Sequence, residues 1–388
     1  MARQASRNDR IAPFHVMALL GRAQALQAEG HDVIHLEVGE PDFPTPAPII
    51  AAGQRALTAG QTRYTPASGL PALREAIAGY YQERFAVSVQ PSQVLVTPGG
   101  SGALQLALAL LVDPGDGVLL SDPGYPCNRH FVELVNGIPQ TLPLGADVRV
   151  TAAKIAEHWQ ANTVATLLAS PDNPSGAVLG ATDCADIAST VAGLGGTLIV
   201  DEIYQGLVYD QPVHSVLSET ADALVLNSFS KYFGMTGWRL GWMVAPQAHV
   251  AALERMAQNF FIAAPTMSQH AALAAFLPET RIELDRRRDL LNSRRQLLLA
   301  ELPGLGFRVA GTPQGAFYIY VDVSAITDDS FAFCQQLLEQ EFVALTPGAD
   351  FGTAHGPEKY LRIAYTTDEV RLTEALHRLS RFIKRNRK

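Results

Sequence analysis

In the stretch from Ser228 to Trp242, SFSKYFGMTGWRLGW, one lysine stands among small hydroxylated residues with an arginine eight positions behind it. A lysine ε-amine condenses with an aldehyde, whereas serine hydroxyls and a guanidinium hold a dianionic phosphate through charge-assisted hydrogen bonds. Lys231 with Ser228, Ser230 and Arg239 therefore reads as a pocket for a phosphate-bearing aldehyde. A lone lysine between serines is ordinarily a solvated loop residue, so this reading depends on partners elsewhere in the chain.

The elements that would position those partners follow from the apolar pattern. Between about residues 90 and 275, the short runs VLVT, GVLL, VATLLAS, TLIV and ALVLN alternate with segments of helical period such as Ser101 to Val112, Cys184 to Leu194 and Ala248 to Asn259. Continuously apolar runs are expected of strands buried on both faces, and their alternation with helices predicts an α/β fold, a mainly parallel sheet sandwiched by helices. Ligands of such sheets sit beyond the carboxyl ends of the strands. After VLVT come Gly99, Gly100, Ser101 and Gly102, where the free N–H groups of a starting helix face an anion. The stretch is not the dinucleotide fingerprint. After VATLLAS comes Asn173 in PDNPSG, an amide donor for a phenolic oxygen or the centre of an Asx turn. After TLIV comes Asp201 in DEIY, a buried carboxylate that needs a cation: a protonated ring nitrogen, a metal or an internal arginine. Together with Lys231 after ALVLN, these four strand ends meet the needs of pyridoxal 5'-phosphate.

With 388 residues the chain is too long for one ordinary core. Residues 46–277 are expected to form the large domain. A smaller α+β domain would combine residues 1–45, including a helix from Phe14 to Glu29, with 278–388. Hydrophobic residues make up 47% and charged ones 18%, as in globular proteins, and no repeat of fixed period is evident. A net charge of -8 argues against a nucleic-acid surface, and the basic end of the chain reads as the end of a solvated helix. Apolar runs such as Ala103 to Val112 are too short to span a bilayer, and no signal core follows the N-terminal charges; a cytoplasmic location is expected. Cys127, Cys184 and Cys334 have neither zinc-ligand nor disulfide spacing, so no metal is expected and the thiols read as reduced.

The segments GEPDFPTP, TRYTPASGLPALREA, DPGYP, SPDNPSGAV, DEIY, SFSKYFGMTGWRLGW, GAFY and LRIAY occur in this order over nearly the whole chain. On these residues the chain resembles the class I/II aminotransferases of the fold-type-I pyridoxal-phosphate-dependent enzymes. The resemblance implies that Lys231 is the Schiff-base lysine, Asp201 the partner of the ring nitrogen, and Asn173 with Tyr204 the donors to the ring oxygen. It implies phosphate contacts from Gly100, Ser101, Gly102, Ser228, Ser230 and Arg239, and stacking of Tyr125 on the ring. Arg362 would grip the substrate α-carboxylate, with a backbone contact from Gly39. Tyr64 would reach the phosphate of the neighbouring subunit, which implies a homodimer with shared sites.

The implied reaction transfers an amino group between an L-amino acid and a 2-oxo acid in two half-reactions through one cofactor. Dicarboxylate-specific relatives carry a lysine in GGKQAL, where this chain has Gly99-Gly100-Ser101-Gly102-Ala103-Leu104. Ser101 cannot pair a distal carboxylate as an ion, so an apolar or aromatic substrate is favoured over aspartate, unless Arg22 or Arg129 supplies the charge. Phe14, His15 and Val16 could line the side-chain pocket. The alternative on the same residues is a pyridoxal-phosphate-dependent carbon–sulfur β-lyase, which releases pyruvate and ammonia without an oxo-acid acceptor.

Overall fold

The computed structural model describes residues 3–11 and 15–386. Its strands are β1 (Ile34–His35), β2 (Val94–Thr97), β3 (Gly117–Asp122), β4 (Ile138–Pro143), β5 (Thr163–Ala169), β6 (Thr197–Asp201), β7 (Leu224–Ser228), β8 (Gly241–Val244), β9 (Arg308–Val309), β10 (Tyr318–Asp322), β11 (Val343–Ala344), β12 (Thr346–Pro347) and β13 (Tyr360–Ala364). Seven of them form one sheet in the order β2-β8-β7-β6-β5-β3-β4. Within it only β8 runs antiparallel, between β2 and β7.

The five apolar runs are strands because both faces of the sheet are covered. Along β6, Leu198 and Val200 face one core while Ile199 faces the other; along β7, Val225 opposes Leu224 and Leu226. Period-two alternation between two buried faces leaves no room for a polar position, hence the unbroken apolar pattern. Each fully buried Leu, Val or Ile contributes about 1.5–3 kcal/mol relative to its exposed state. The helices Gly99–Leu111 and Gln247–Phe260 cover one face through Leu106, Leu108 and Leu253.

Two strands of this sheet did not show in the apolar pattern. The run IPQTLP of β4 holds two prolines and alternates exposed with buried positions, which suits its place at the sheet's edge. The run GWMV of β8 is fully buried but follows directly on the glycine- and aromatic-rich motif.

A smaller antiparallel sheet, β12-β13-β10-β9, lies towards the C-terminus. Tyr320 pairs with Arg362 and Tyr318 with Ala364, so the strand period puts Tyr318, Tyr320 and Arg362 on one face. The N-terminal helix spans His15–Ala28, and β1 pairs in parallel with β11. The segment after β1 thus runs against the smaller sheet, with Ala364 N–H donating to Leu36 O at 2.8 Å. The proline-rich strap after Glu40 is clamped by a two-fold ion pair of Asp42 with Arg294, at 2.9 and 3.0 Å, to the long helix Pro278–Glu301. Among the described residues, no helix is long and apolar enough to cross a membrane, and no cluster of His, Cys, Asp or Glu is placed to hold a metal. Cys184 and Cys334 are buried, Cys127 is half-buried, and all three are free thiols.

Candidate active site

At the carboxyl ends of the parallel strands lies a cavity of about 340 Å³. Gly39, Gly100, Ser101, Tyr125, Asn173, Asp201, Tyr204, Ser228, Ser230, Lys231, Arg239 and Arg362 all line it. Gly102 does not: it faces back to Thr97, Pro98 and Phe261. Phe14 lies outside the described residues, and Tyr64, 80% exposed, is away from the cavity of its own chain.

One part of the lining comes straight from strand ends. The helix after β2 begins at Gly99, two residues earlier than its composition predicts, and a side chain is excluded at that first position. Gly99 has φ of +72° and a Cβ on it would sit 2.7 Å from Arg239 Nη2. Arg239, itself left-handed at φ of 52°, is thereby held beside the first free N–H groups of that helix. Ser228 Oγ lies 2.9 Å from Ser230 Oγ and accepts from Ser230 N–H at 3.1 Å. Two hydroxyls, a helix N-terminus and a guanidinium together form an anion cradle.

Asp201, at the end of β6, accepts from Ile203 N–H at 3.0 Å and makes no ion pair within 4 Å among the described residues. Burial pushes its carboxyl up to about 6, against the pull of that N–H and of the Lys231 charge. A carboxyl in this setting is suited to pair with a cation. Lys231 Nζ donates to Gly39 O at 2.7 Å and lies 5.8 and 5.7 Å from the ring centres of Tyr204 and Phe317. Burial pushes the Tyr204 phenol, 5% exposed, well above its ordinary value.

The other part is gathered from distant segments. Arg362 is 4% exposed; its Nη1 donates to Asn173 Oδ1 at 3.0 Å, and its Nη2 donates to Glu37 O and to Thr346 Oγ1. Its Nε has no partner, and no carboxylate lies within 4 Å of it among the described residues. A buried guanidinium satisfied only by neutral oxygens is an anion site. Its face rests on Tyr318, 4.3 Å from the ring centre, and on Phe351, 5.0 Å away.

Tyr318, which also meets Tyr204 hydroxyl to hydroxyl at 3.0 Å, carries no role in the sequence reading although it ends the GAFY motif. It also explains Gly39, where any Cβ would overlap the Tyr318 hydroxyl. Phe351 has no sequence signal at all. Val16, Met17, Leu20, Leu104 and Phe131 add an apolar part to the wall, and Glu37, Glu40 and Thr236 a polar one. His15 instead packs edge-on against Phe331. Neither arginine considered for a distal carboxylate reaches the cavity: Arg22 pairs with Glu339 and Glu29, and Arg129 donates to Asp350 O.

The pattern of the family "aminotransferase class I and II" matches residues 31–379. The chain is 39% identical over 377 residues to a Mycobacterium tuberculosis protein named valine–pyruvate aminotransferase, covering 96% of this chain and 97% of the relative. It is 36% identical over 373 residues to the (5-formylfuran-3-yl)methyl phosphate transaminase of Methanocaldococcus jannaschii, covering 95% and 96%. The crystal structure of an aminotransferase from Mycobacterium tuberculosis superposes with a TM-score of 0.95 at 38% identity, over 99% of this chain and all of the other. A fold-type-I architecture, strand ends that carry the expected residues, and likeness along nearly the full length agree: the chain belongs to the class I and II aminotransferases, enzymes that depend on pyridoxal phosphate.

Proposed function

We propose that this aminotransferase moves the amino group of an L-amino acid with an apolar or aromatic side chain to a 2-oxo acid, in two half-reactions that share the cavity around Lys231. The observation that carries the reading is the convergence on one cavity of an amine (Lys231), a half-buried carboxyl (Asp201) and a buried guanidinium (Arg362), the last two without a charged partner within 4 Å among the described residues.

These residues fit pyridoxal phosphate: the cradle of Gly100, Ser101, Ser228, Ser230 and Arg239 suits its phosphate, and Asp201 its ring nitrogen. Asn173, whose amide nitrogen has no partner among the described residues, and Tyr204 suit its ring oxygen, and Tyr125 its ring face. When bound, the group supplies an aldehyde that condenses with amines and a ring that spreads the electron pair left by a departing α-proton. Lys231 would hold the group through its aldehyde, and its amine, when free, would take and return the substrate's α-proton. Asp201 keeps the ring nitrogen charged. Arg362 orients the α-carboxylate and thereby decides which bond at the α-carbon breaks.

The apolar assignment follows from a charge count. With Lys231, Arg239 and Arg362 engaged, no cation of the lining remains for a distal carboxylate, and Glu37 and Glu40 would oppose one. The relative named for valine and pyruvate supports the same class. A panel of amino acids with pyruvate or 2-oxoglutarate as acceptor, read by oxo-acid formation, tests this. Apolar donors should lead; preference for aspartate, or pyruvate and ammonia from a thioether amino acid without acceptor, would overturn it.

Within the same proposal the working unit is a homodimer in which the exposed Tyr64 hydroxyl reaches the partner's phosphate cradle. Its loop is held out by Thr266 Oγ1, which donates to Arg63 O at 2.7 Å. Mixed dimers of Tyr64→Phe and Lys231→Ala chains, which contain one site with both residues intact, should recover activity that neither variant shows alone.

A further inference from the structure

Asp122 ends β3 and stays outside the cavity lining, yet it is 5% exposed, and its carboxylate is committed to one loop far along the chain. Oδ2 accepts the N–H groups of Thr353 at 2.8 Å and Ala354 at 3.1 Å, while Oδ1 meets His355 Nδ1. The imidazole passes the contact on, with Nε2 2.8 Å from the Tyr320 hydroxyl. Gly352 is required for this approach, because a Cβ there would overlap the carboxylate. Two residues beyond Asp122, Gly124 N–H donates to Phe351 O at 2.8 Å and ties the same two segments a second time. A carboxylate so deeply buried is retained only where such donors compensate it.

The loop carries the substrate side of the cavity. Asp350 accepts the N–H groups of His15 and Val16 at 2.9 and 2.8 Å and so fixes the start of the helix whose Val16, Met17 and Leu20 form the apolar wall. Phe351 lies against the Arg362 guanidinium, and Tyr320 is its cross-strand partner. Among the described residues no carboxylate lies within 4 Å of Arg362 to orient it, so its direction depends on these aromatic neighbours and a few neutral acceptors.

We propose that Asp122, His355 and Tyr320 form a positioning latch: by locking the Asp350–His355 loop to the end of β3, they hold Arg362 and the N-terminal helix in the geometry that grips the substrate. None of the three lines the cavity. The proposal rests on Arg362 as the carboxylate grip, whose charge-assisted hydrogen bonds to a carboxylate weaken when the guanidinium is displaced.

The test compares His355→Ala, His355→Asn and Tyr320→Phe as cofactor-loaded enzymes. The measurements are KM and kcat for an amino-acid donor, cofactor affinity, and calorimetric binding of an unreactive 2-methyl amino acid. His355→Ala should raise KM and weaken the analogue about tenfold or more, with kcat within about threefold and cofactor affinity within about twofold of the parent. Asparagine, whose amide can still donate to Asp122, should restore KM to near the parent value. Tyr320→Phe should raise KM by about two- to threefold, and it remains informative if His355→Ala does not fold. Unchanged KM in His355→Ala and Tyr320→Phe, loss of cofactor affinity in step with KM, or asparagine as damaging as alanine would overturn the latch. Arg362→Gln separates the two claims: if it leaves analogue binding intact, the grip itself is wrong, whereas if it abolishes binding and His355→Ala does not weaken it, only the latch fails.

Discussion

The residues that follow β2, β5, β6 and β7 and those brought in from the N-terminal segment and the smaller sheet share one cavity, but they are held in different ways. Asp201 is fixed by Ile203, Ser230 by Ser228, and the turn that carries Asn173 by Asp172 and Ser175, all within a few residues. Arg362, by contrast, is held by Asn173 and Glu37, Lys231 meets Gly39, and the N-terminal helix is capped by Asp350. The side assigned to the cofactor is thus built with the parallel sheet. The side assigned to the substrate exists only when remote segments dock. Damage to the first should appear in chemistry and cofactor retention, and damage to the second in KM.

The sharpest break in that comparison is Lys231→Ala. Turnover should fall by about 10⁴-fold or more, the upper range for a positioned acid–base group, while Arg362 still binds carboxylates. Borohydride should leave no cofactor attached to the variant; attachment at another lysine would sink the assignment. Arg362→Gln is the matching break on the other side. Loss of charge-assisted hydrogen bonds of about 1.5–3 kcal/mol should raise KM for the amino acid roughly 10- to 100-fold with the cofactor retained. A fall in kcat at constant KM would count against it.

A third, smaller effect concerns stability without cofactor. Burial raises Asp201 to about 6, so the folded apoprotein binds this proton more tightly than the unfolded chain does. Stability from this group is therefore greatest below about pH 4, falls as pH rises to about 6 and stays low above. Asp201→Asn removes the penalty and should make the apoprotein more stable than the parent by roughly 1–3 kcal/mol at pH 7.5, a gap that closes towards pH 4. Urea melts across pH 4 to 8 would read it. No gap at pH 7.5 would mean that Asp201 is already paired without the cofactor.

Legibility in the sequence follows the same division. The five apolar runs and the polar residues directly behind them were readable because a strand buried on both faces leaves a local pattern and the sheet puts its ligands at the strand ends. Proline-bearing β4 at the edge and short β8 inside a motif left no such pattern. Gly102, which the resemblance groups with the phosphate cradle, lies one position past Gly100 and Ser101 on the helix and does not line the cavity. Tyr318 ends the GAFY motif, but its role is not legible there because its partners Tyr204, Gly39 and Arg362 come from three separate segments.

By itself, the sequence determined the α/β class, the family and the identity of the groups after each strand, since these depend on residue types within a few positions of one another. Only the tertiary structure decided that Arg362 is buried among neutral acceptors, that Arg22 and Arg129 stay out of the cavity, and that Asp122 reaches His355. Those facts are distances between segments hundreds of residues apart, set by how the smaller sheet and the N-terminal helix pack against the strand ends.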